Sequence, residues 1–144
     1  MKNLKSISLV ILITLTSTLA FTQEQATATM ACAKNLFGAT EILLDLNGEV
    51  NTEFWDKDYV RVVIQIKSNG VTKEAIKHLI SKKRFTISGM RITDSIFEIS
   101  MPNIDLPVLI NGQEFHEELS FQIFLPQTTF VTMASDLQLI AGIP

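Results

Sequence analysis

The sequence predicts a mainly β domain, an antiparallel meander opening a β-sandwich or solenoid-like sheet, with one short helix at about 72–83, behind an N-terminal signal helix. Three observations carry this. Apolar and polar residues alternate over eight residues from Val60 to Lys67. Turn-forming residues punctuate the chain at Asn47-Gly48, Asp56-Lys57-Asp58, Asn69-Gly70 and Asn111-Gly112. Between them, only Ala75, Ile76, Leu79 and Ile80 repeat at helical spacing. A period of two places every second side chain on one face of a strand, and a period of 3.6 gives one stripe on a helix.

The chain has 144 residues. Met1-Lys2-Asn3-Leu4-Lys5 is basic, Ile7 to Leu15 is uncharged and largely apolar, and Thr18 and Ala20 are small. Charge step, apolar run and small-x-small site form the pattern of a cleaved signal peptide over residues 1–20. The uncharged stretch from Ser6 to Gln23 is interrupted by Ser and Thr, so a spanning anchor is the weaker reading. The expected destination is export to the periplasm, the cell surface or the medium.

Residues 21–39 read as an N-terminal extension or a first strand, and 40–144 as a single β-rich domain. Without Lys2 and Lys5, ten basic side chains remain against fifteen acidic ones, a net charge of −5. That balance excludes nucleic acid and an anionic membrane surface as expected partners. Cys32 is the one cysteine, so the chain has no internal disulfide. Thr29-Met30-Ala31-Cys32 loosely resembles a lipidation site, but Thr22 to Thr29 separates it from the apolar run. Membrane contact is expected only through an uncleaved signal or, as the weaker alternative, a lipid on Cys32.

Ile42, Leu44 and Leu46 share one face of a strand that Asn47-Gly48 should reverse. Val50, Thr52 and Phe54 alternate next, Asp56-Lys57-Asp58 makes a second reversal, and Tyr59 to Lys67 completes a three-stranded meander. Thr72 caps the helix, Val71 and Ile76 fit a hydrophobic staple, and Lys82, Lys83 and Arg84 suit its C-terminal dipole. Strands follow at Phe85 to Ile92 and at Ser95 to Met101, which Pro102 stops. Val108 to Phe115 forms a small hairpin, Leu119 to Leu125 a strand ended by Pro126, and Thr128 to Met133 another. The apolar tail from Leu137 to Pro144 reads as the start of one more strand.

Leu46-Asn47-Gly48-Glu49-Val50, running into Glu53-Phe54-Trp55-Asp56-Lys57-Asp58-Tyr59-Val60-Arg61-Val62, resembles a segment that opens adhesin-like β-solenoid head domains of unknown function in secreted Bacteroidetes proteins. The Lys-rich helix, Ile99-Ser100-Met101-Pro102 and Leu119 to Pro126 are similar to the same family, so the resemblance covers residues 40–135. It implies an exported β protein with a surface or adhesive role and names no catalytic residue. It also implies solenoid repeats after Pro126. A chain stopping at Pro144 is then expected to be an opening module without its array, or truncated at its C-terminus.

The functional expectation is a non-catalytic cell-envelope or surface interaction module, adhesin-like, with no cofactor. Its partner would be a protein or a glycan at the cell surface. Trp55, Asp56, Lys57, Asp58 and Tyr59 are the candidate partner-binding loop, because an aromatic pair at a loop tip can stack on a partner. The alternative is a small secreted metal-binding protein or enzyme using Glu114-Phe115-His116-Glu117-Glu118. On a strand Glu114, His116 and Glu118 would share a face, and such side chains bind divalent ions. A solvated acidic hairpin explains the same residues. His78, on the helix, has no positioned partner in the sequence that would make it a base. Cys32 lacks the flanking motif of a thiol hydrolase, and no G-x-S-x-G, G-x-G-x-x-G or P-loop occurs.

Overall fold

The computed structural model describes residues 24–141, with side chains through Leu137; the expected signal peptide lies outside the described residues. In chain order the elements are β1 (Gln25–Asn35), β2 (Glu41–Asp45), β3 (Glu49–Trp55), β4 (Tyr59–Asn69), α1 (Lys73–Ser81), β5 (Ser88–Arg91), β6 (Ile96–Ser100), β7 (Leu109–Ile110), β8 (Gln113–Glu114), β9 (Glu118–Pro126), β10 (Phe130–Met133) and α2 (Ala134–Ala141). Two four-stranded sheets, β1-β4-β9-β3 and β10-β2-β6-β5, hold most of the strands, and β7-β8 is a small hairpin.

The alternation of β4 is what organises the core. Val60, Val62, Ile64 and Ile66 turn inward and are buried. β9 meets them antiparallel, with Val62 opposite Ile123 and Ile64 opposite Phe121. From the second sheet, Ile42 and Leu44 of β2 stand opposite Phe97 and Ile99 of β6 and join the same apolar cluster. β1 contributes Ala26, Ala28, Met30 and Cys32 to its inner face. These side chains are small apart from Met30, and α1 packs against this strand.

α1 forms as the sequence dictates. The Thr72 Oγ accepts the Ala75 N–H at 3.2 Å, and Ile76 and Leu79 are buried on the apolar stripe. The helix stops in a Schellman turn: the Arg84 N–H reaches the Leu79 carbonyl at 3.1 Å and the Lys83 N–H the Ile80 carbonyl at 2.9 Å. Lys83 takes the left-handed conformation there, at φ 64°.

The strands do not form the expected meander. β2 and β3 belong to different sheets, and β9 lies between β3 and β4. β3 runs parallel to β9, and β2 runs parallel to both β6 and β10, so the sheets are mixed. The reason is energetic. Each fully buried Ile or Phe contributes about 1.5–3 kcal/mol. β9 carries Phe121, Ile123 and Leu125, all buried, and gains most from a central place with a strand on either side. That outweighs two convenient local turns.

Asn47-Gly48 therefore serves another purpose. Gly48 has φ 150°, and a Cβ there would strike the backbone carbonyl of Leu119. The chain crosses from one sheet to the other at this point, and glycine permits the close backbone approach. The tail also differs from expectation. Ala134–Ala141 is a second helix rather than a strand. Its Ala, Leu and Gln are good helix formers, and Asp136 in the first turn suits the helix dipole.

Gly48→Ala should lower the unfolding free energy by about 2 kcal/mol or more, because the obstructing atom is backbone and cannot rotate away. Urea titration measures it; an unchanged midpoint would show that the crossing tolerates a side chain.

Candidate functional site

The loop expected to bind a partner is an arch. Trp55 stands opposite Pro126, the last residue of β9, while Arg61 of β4 stands opposite Phe124. Asp56-Lys57-Asp58 therefore links β3 to β4 over the end of β9. Trp55 and Tyr59 do not face each other across a hairpin, as one reading of the sequence expects, because β9 separates their strands.

The aromatic side chains bridge that gap. Their ring centroids lie 4.9 Å apart at an interplanar angle of 74°, an edge-to-face contact. The Trp55 Nε1–H donates to the Tyr59 carbonyl at 2.9 Å. The Phe124 ring lies 5.4 Å from Trp55, and the Arg61 guanidinium sits 6.0 Å above Phe124. Edge-to-face pairs contribute about 0.5–1.5 kcal/mol beyond their buried area, so the arch is stiffened from beneath. Its polar tip faces water. Asp56 and Lys57 approach to 3.8 Å while both remain exposed, a pair worth at most about 1 kcal/mol. An open cleft of about 400 Å³ runs beside the tip, lined by Trp55 to Asp58 and Pro126 to Thr128.

The Glu114–Glu118 segment is arranged differently from the sequence expectation. It is not one strand. β8 ends at Glu114 and β9 begins at Glu118, so no shared face collects Glu114, His116 and Glu118. Phe115 enters the core, and its N–H donates to the Val108 carbonyl at 2.8 Å. Glu117 is not solvated. Its side chain is 7% exposed and accepts from Arg84 Nε at 3.0 Å and Nη2 at 2.8 Å. Arg84 also donates to the carbonyls of Leu106 and Ile104, at 2.6 and 3.0 Å. Its guanidinium lies 5.7 Å from the Phe115 ring centre. Among the described residues, no group of three or more His, Cys, Asp or Glu is placed to hold a metal ion. Clefts of about 470 and 390 Å³ flank the segment, with Glu114, His116 and Glu118 exposed along them.

Arg84 and Glu117 are the residues that sequence reasoning missed. Arg84 reads as one more cation after the helix, and Glu117 as one of several acids. The available signal was positional: Arg84 precedes Phe85, which is wholly buried, and Glu117 lies between buried Phe115 and Leu119.

His78 lies exposed on α1, where its carbonyl accepts from the Lys82 N–H and the Ser81 hydroxyl. Cys32 lies within β1, opposite Val62. Lipidation at that thiol would require cleavage just before it, which would remove Gln25 to Ala31 from the strand. Burial pushes the Cys32 thiol up from its ordinary value, against a weaker opposing pull from Lys34.

No protein-family model and no curated protein matches the chain. A solved structure described as a "putative cell adhesion protein from Clostridium sporogenes" is similar to it at 12% identity and a TM-score of 0.40. The likeness covers 74% of this chain and 45% of that one, so the chain spans less than half the length of that protein. No helix among the described residues is long and apolar enough to cross a membrane.

The nucleophile in alkylation is the thiolate, so the raised Cys32 value slows the reaction. Iodoacetamide should modify the folded protein more slowly than the urea-unfolded one, with the pH midpoint of the folded rate displaced upward. Equal rates in the two states would place Cys32 outside the sheet.

Proposed function

We propose that the chain is an exported, non-catalytic interaction module of the cell envelope or cell surface, adhesin-like in role, that meets a protein or glycan partner through the Trp55–Tyr59 arch. The observation that carries this reading is the construction of the arch. A rigid aromatic base, fixed by the Trp55 to Tyr59 hydrogen bond and the Phe124 contact, supports an exposed acid-base-acid tip. A partner that engages Asp56, Lys57 and Asp58 loses little entropy in ordering that loop, because the fold has already ordered it. The tip offers carboxylate acceptors and an ammonium donor beside aromatic edges, a combination suited to the hydroxyls of a sugar or the polar rim of a protein surface.

Export rests on the basic, apolar and small-residue succession of residues 1–20. The Glu114–Glu118 segment serves the fold in this reading, since its central carboxylate is committed to Arg84.

Two measurements test the proposal. Fractionation of the producing cell should find the protein outside the cytosol with its N-terminus shortened; a cytosolic product of full length contradicts export. Fluorescently labelled protein should bind isolated cell envelopes or members of an immobilised glycan panel. Replacing Asp56, Lys57 and Asp58 together by Ser should weaken that binding by about tenfold or more, with the circular dichroism unchanged. Binding that survives the replacement would remove the arch from the contact surface.

A further inference from the structure

The two four-stranded sheets end, among the described residues, in four strands: β1 and β3 in one sheet, β10 and β5 in the other. An end strand presents unpaired N–H and C=O groups to any other extended chain, and folded proteins blunt such edges with charge, proline, bulges or brevity. Three of the four are blunted in this way. β3 carries Glu49 and Glu53. β5 has four residues and ends in Arg91. β10 has four residues and runs directly into α2.

β1 is the least blunted of the four, although α1 packs against it and Lys34 lies on its inner side. It is eleven residues long, contains no Pro, Gly or acid, and carries one charge, Lys34, near its end. It pairs with β4 residue for residue from Gln25–Asn69 to Asn35–Tyr59 without a bulge. Every second residue therefore directs its backbone groups away from β4 along the whole strand. On the outer face of the sheet Thr27, Thr29, Ala31 and Ala33 are exposed and small. They form a strip of small side chains on the face opposite the one that joins the core.

We propose that this edge takes a second copy of the chain, β1 against β1, antiparallel about a two-fold axis at Met30. The strand is complementary to itself in that register. Met30 meets Met30, Thr29 meets Ala31, Thr27 meets Ala33, Ala28 meets Cys32, and the single charge of Lys34 falls opposite Ala26. No like charges oppose each other, and all eleven residues are paired. The interface is isologous and closes after two chains. It joins the two β1-β4-β9-β3 sheets into one of eight strands. The two arches then lie at the far ends of a single sheet, because β3 is the strand most distant from β1. A paired module can engage two partner sites at once and gain from the high effective concentration of the second. This consequence uses the proposed role of the arch; the dimer itself does not.

The test is sedimentation velocity of the protein purified from an exporting host, across a micromolar concentration series. The wild type is expected to sediment as a dimer. Thr29 and Ala31 face each other twice across the axis, so T29K/A31K sets lysine against lysine at both places. It should raise the dimer dissociation constant by about tenfold or more. T29E/A31K sets opposite charges at the same two places and should restore the dimer to at least wild-type strength. Both variants change exposed residues, and circular dichroism checks that each is folded. A wild type that stays monomeric overturns the proposal, whatever foreign strand the edge then accepts. A T29K/A31K dimer of unchanged strength overturns it too, as does a T29E/A31K variant no stronger than T29K/A31K. Loss of envelope binding by the Asp56-Lys57-Asp58 replacement, with the dimer intact, leaves the two ideas separately decided.

Discussion

The buried ion pair between Arg84 and Glu117 holds the start of β9, the strand whose buried apolar residues place it inside its sheet, between β3 and β4. The two side chains are 8% and 7% exposed, and removing two charges from water costs several kcal/mol per ion unless hydrogen bonds replace the solvent. Here they do. Arg84 spends its donors on the Glu117 carboxylate and on the carbonyls of Ile104 and Leu106. No buried side-chain nitrogen or oxygen among the described residues lacks a partner. The Schellman turn fixes where Arg84 emerges from α1, and Glu117 lies one residue before β9. One guanidinium thus ties the end of the helix, the irregular chain around 104–106 and the start of the central strand. The same residues frame the larger cleft beside the segment.

Fixing the start of β9 has effects at its other end. The strand must run between β3 and β4, and the chain accommodates it with two local devices. Gly48 lets the backbone pass the Leu119 carbonyl where β2 gives way to β3. At the far end the Asp56-Lys57-Asp58 arch carries the chain over Pro126, which has no N–H to continue a ladder. Trp55 then reaches across the gap to Tyr59. The candidate binding loop is therefore a by-product of topology: it spans a strand rather than turning a hairpin.

Faces were legible in the sequence, and neighbours were not. The inward side of β4 follows from alternation, as does the apolar stripe of α1 with its Thr72 cap. The β7-β8 turn at Asn111-Gly112 and the β5-β6 reversal around Thr93 and Asp94 are local pairings, and local residues specify them. Strand order is different. β9 enters between β3 and β4 from more than fifty residues away, and no periodicity in either strand records that. Alternation in β1 is muted because small Ala and Thr occupy its two faces, so contrast is low although the strand is long. The arch was found as a candidate loop from Trp55 and Tyr59, but its geometry was not. Arg84 and Glu117 escaped notice because an ion pair spanning 33 residues is written nowhere in either neighbourhood.

Among the described residues His116 is exposed, His78 lies on α1, and Glu117 is committed to Arg84. The domain's proposed role as an interaction module depends on the aromatic contacts that hold the Trp55–Tyr59 arch, and the fold beneath the arch depends on the placement of β9, whose start the pair holds. The most direct measurement is a double-mutant cycle by urea unfolding with Arg84→Met and Glu117→Leu. Each single replacement leaves a buried charge alone and should cost about 3–5 kcal/mol, while the double replacement should cost clearly less than their sum. Single variants within about 1 kcal/mol of the wild type, a difference typical of exposed pairs, would contradict the account.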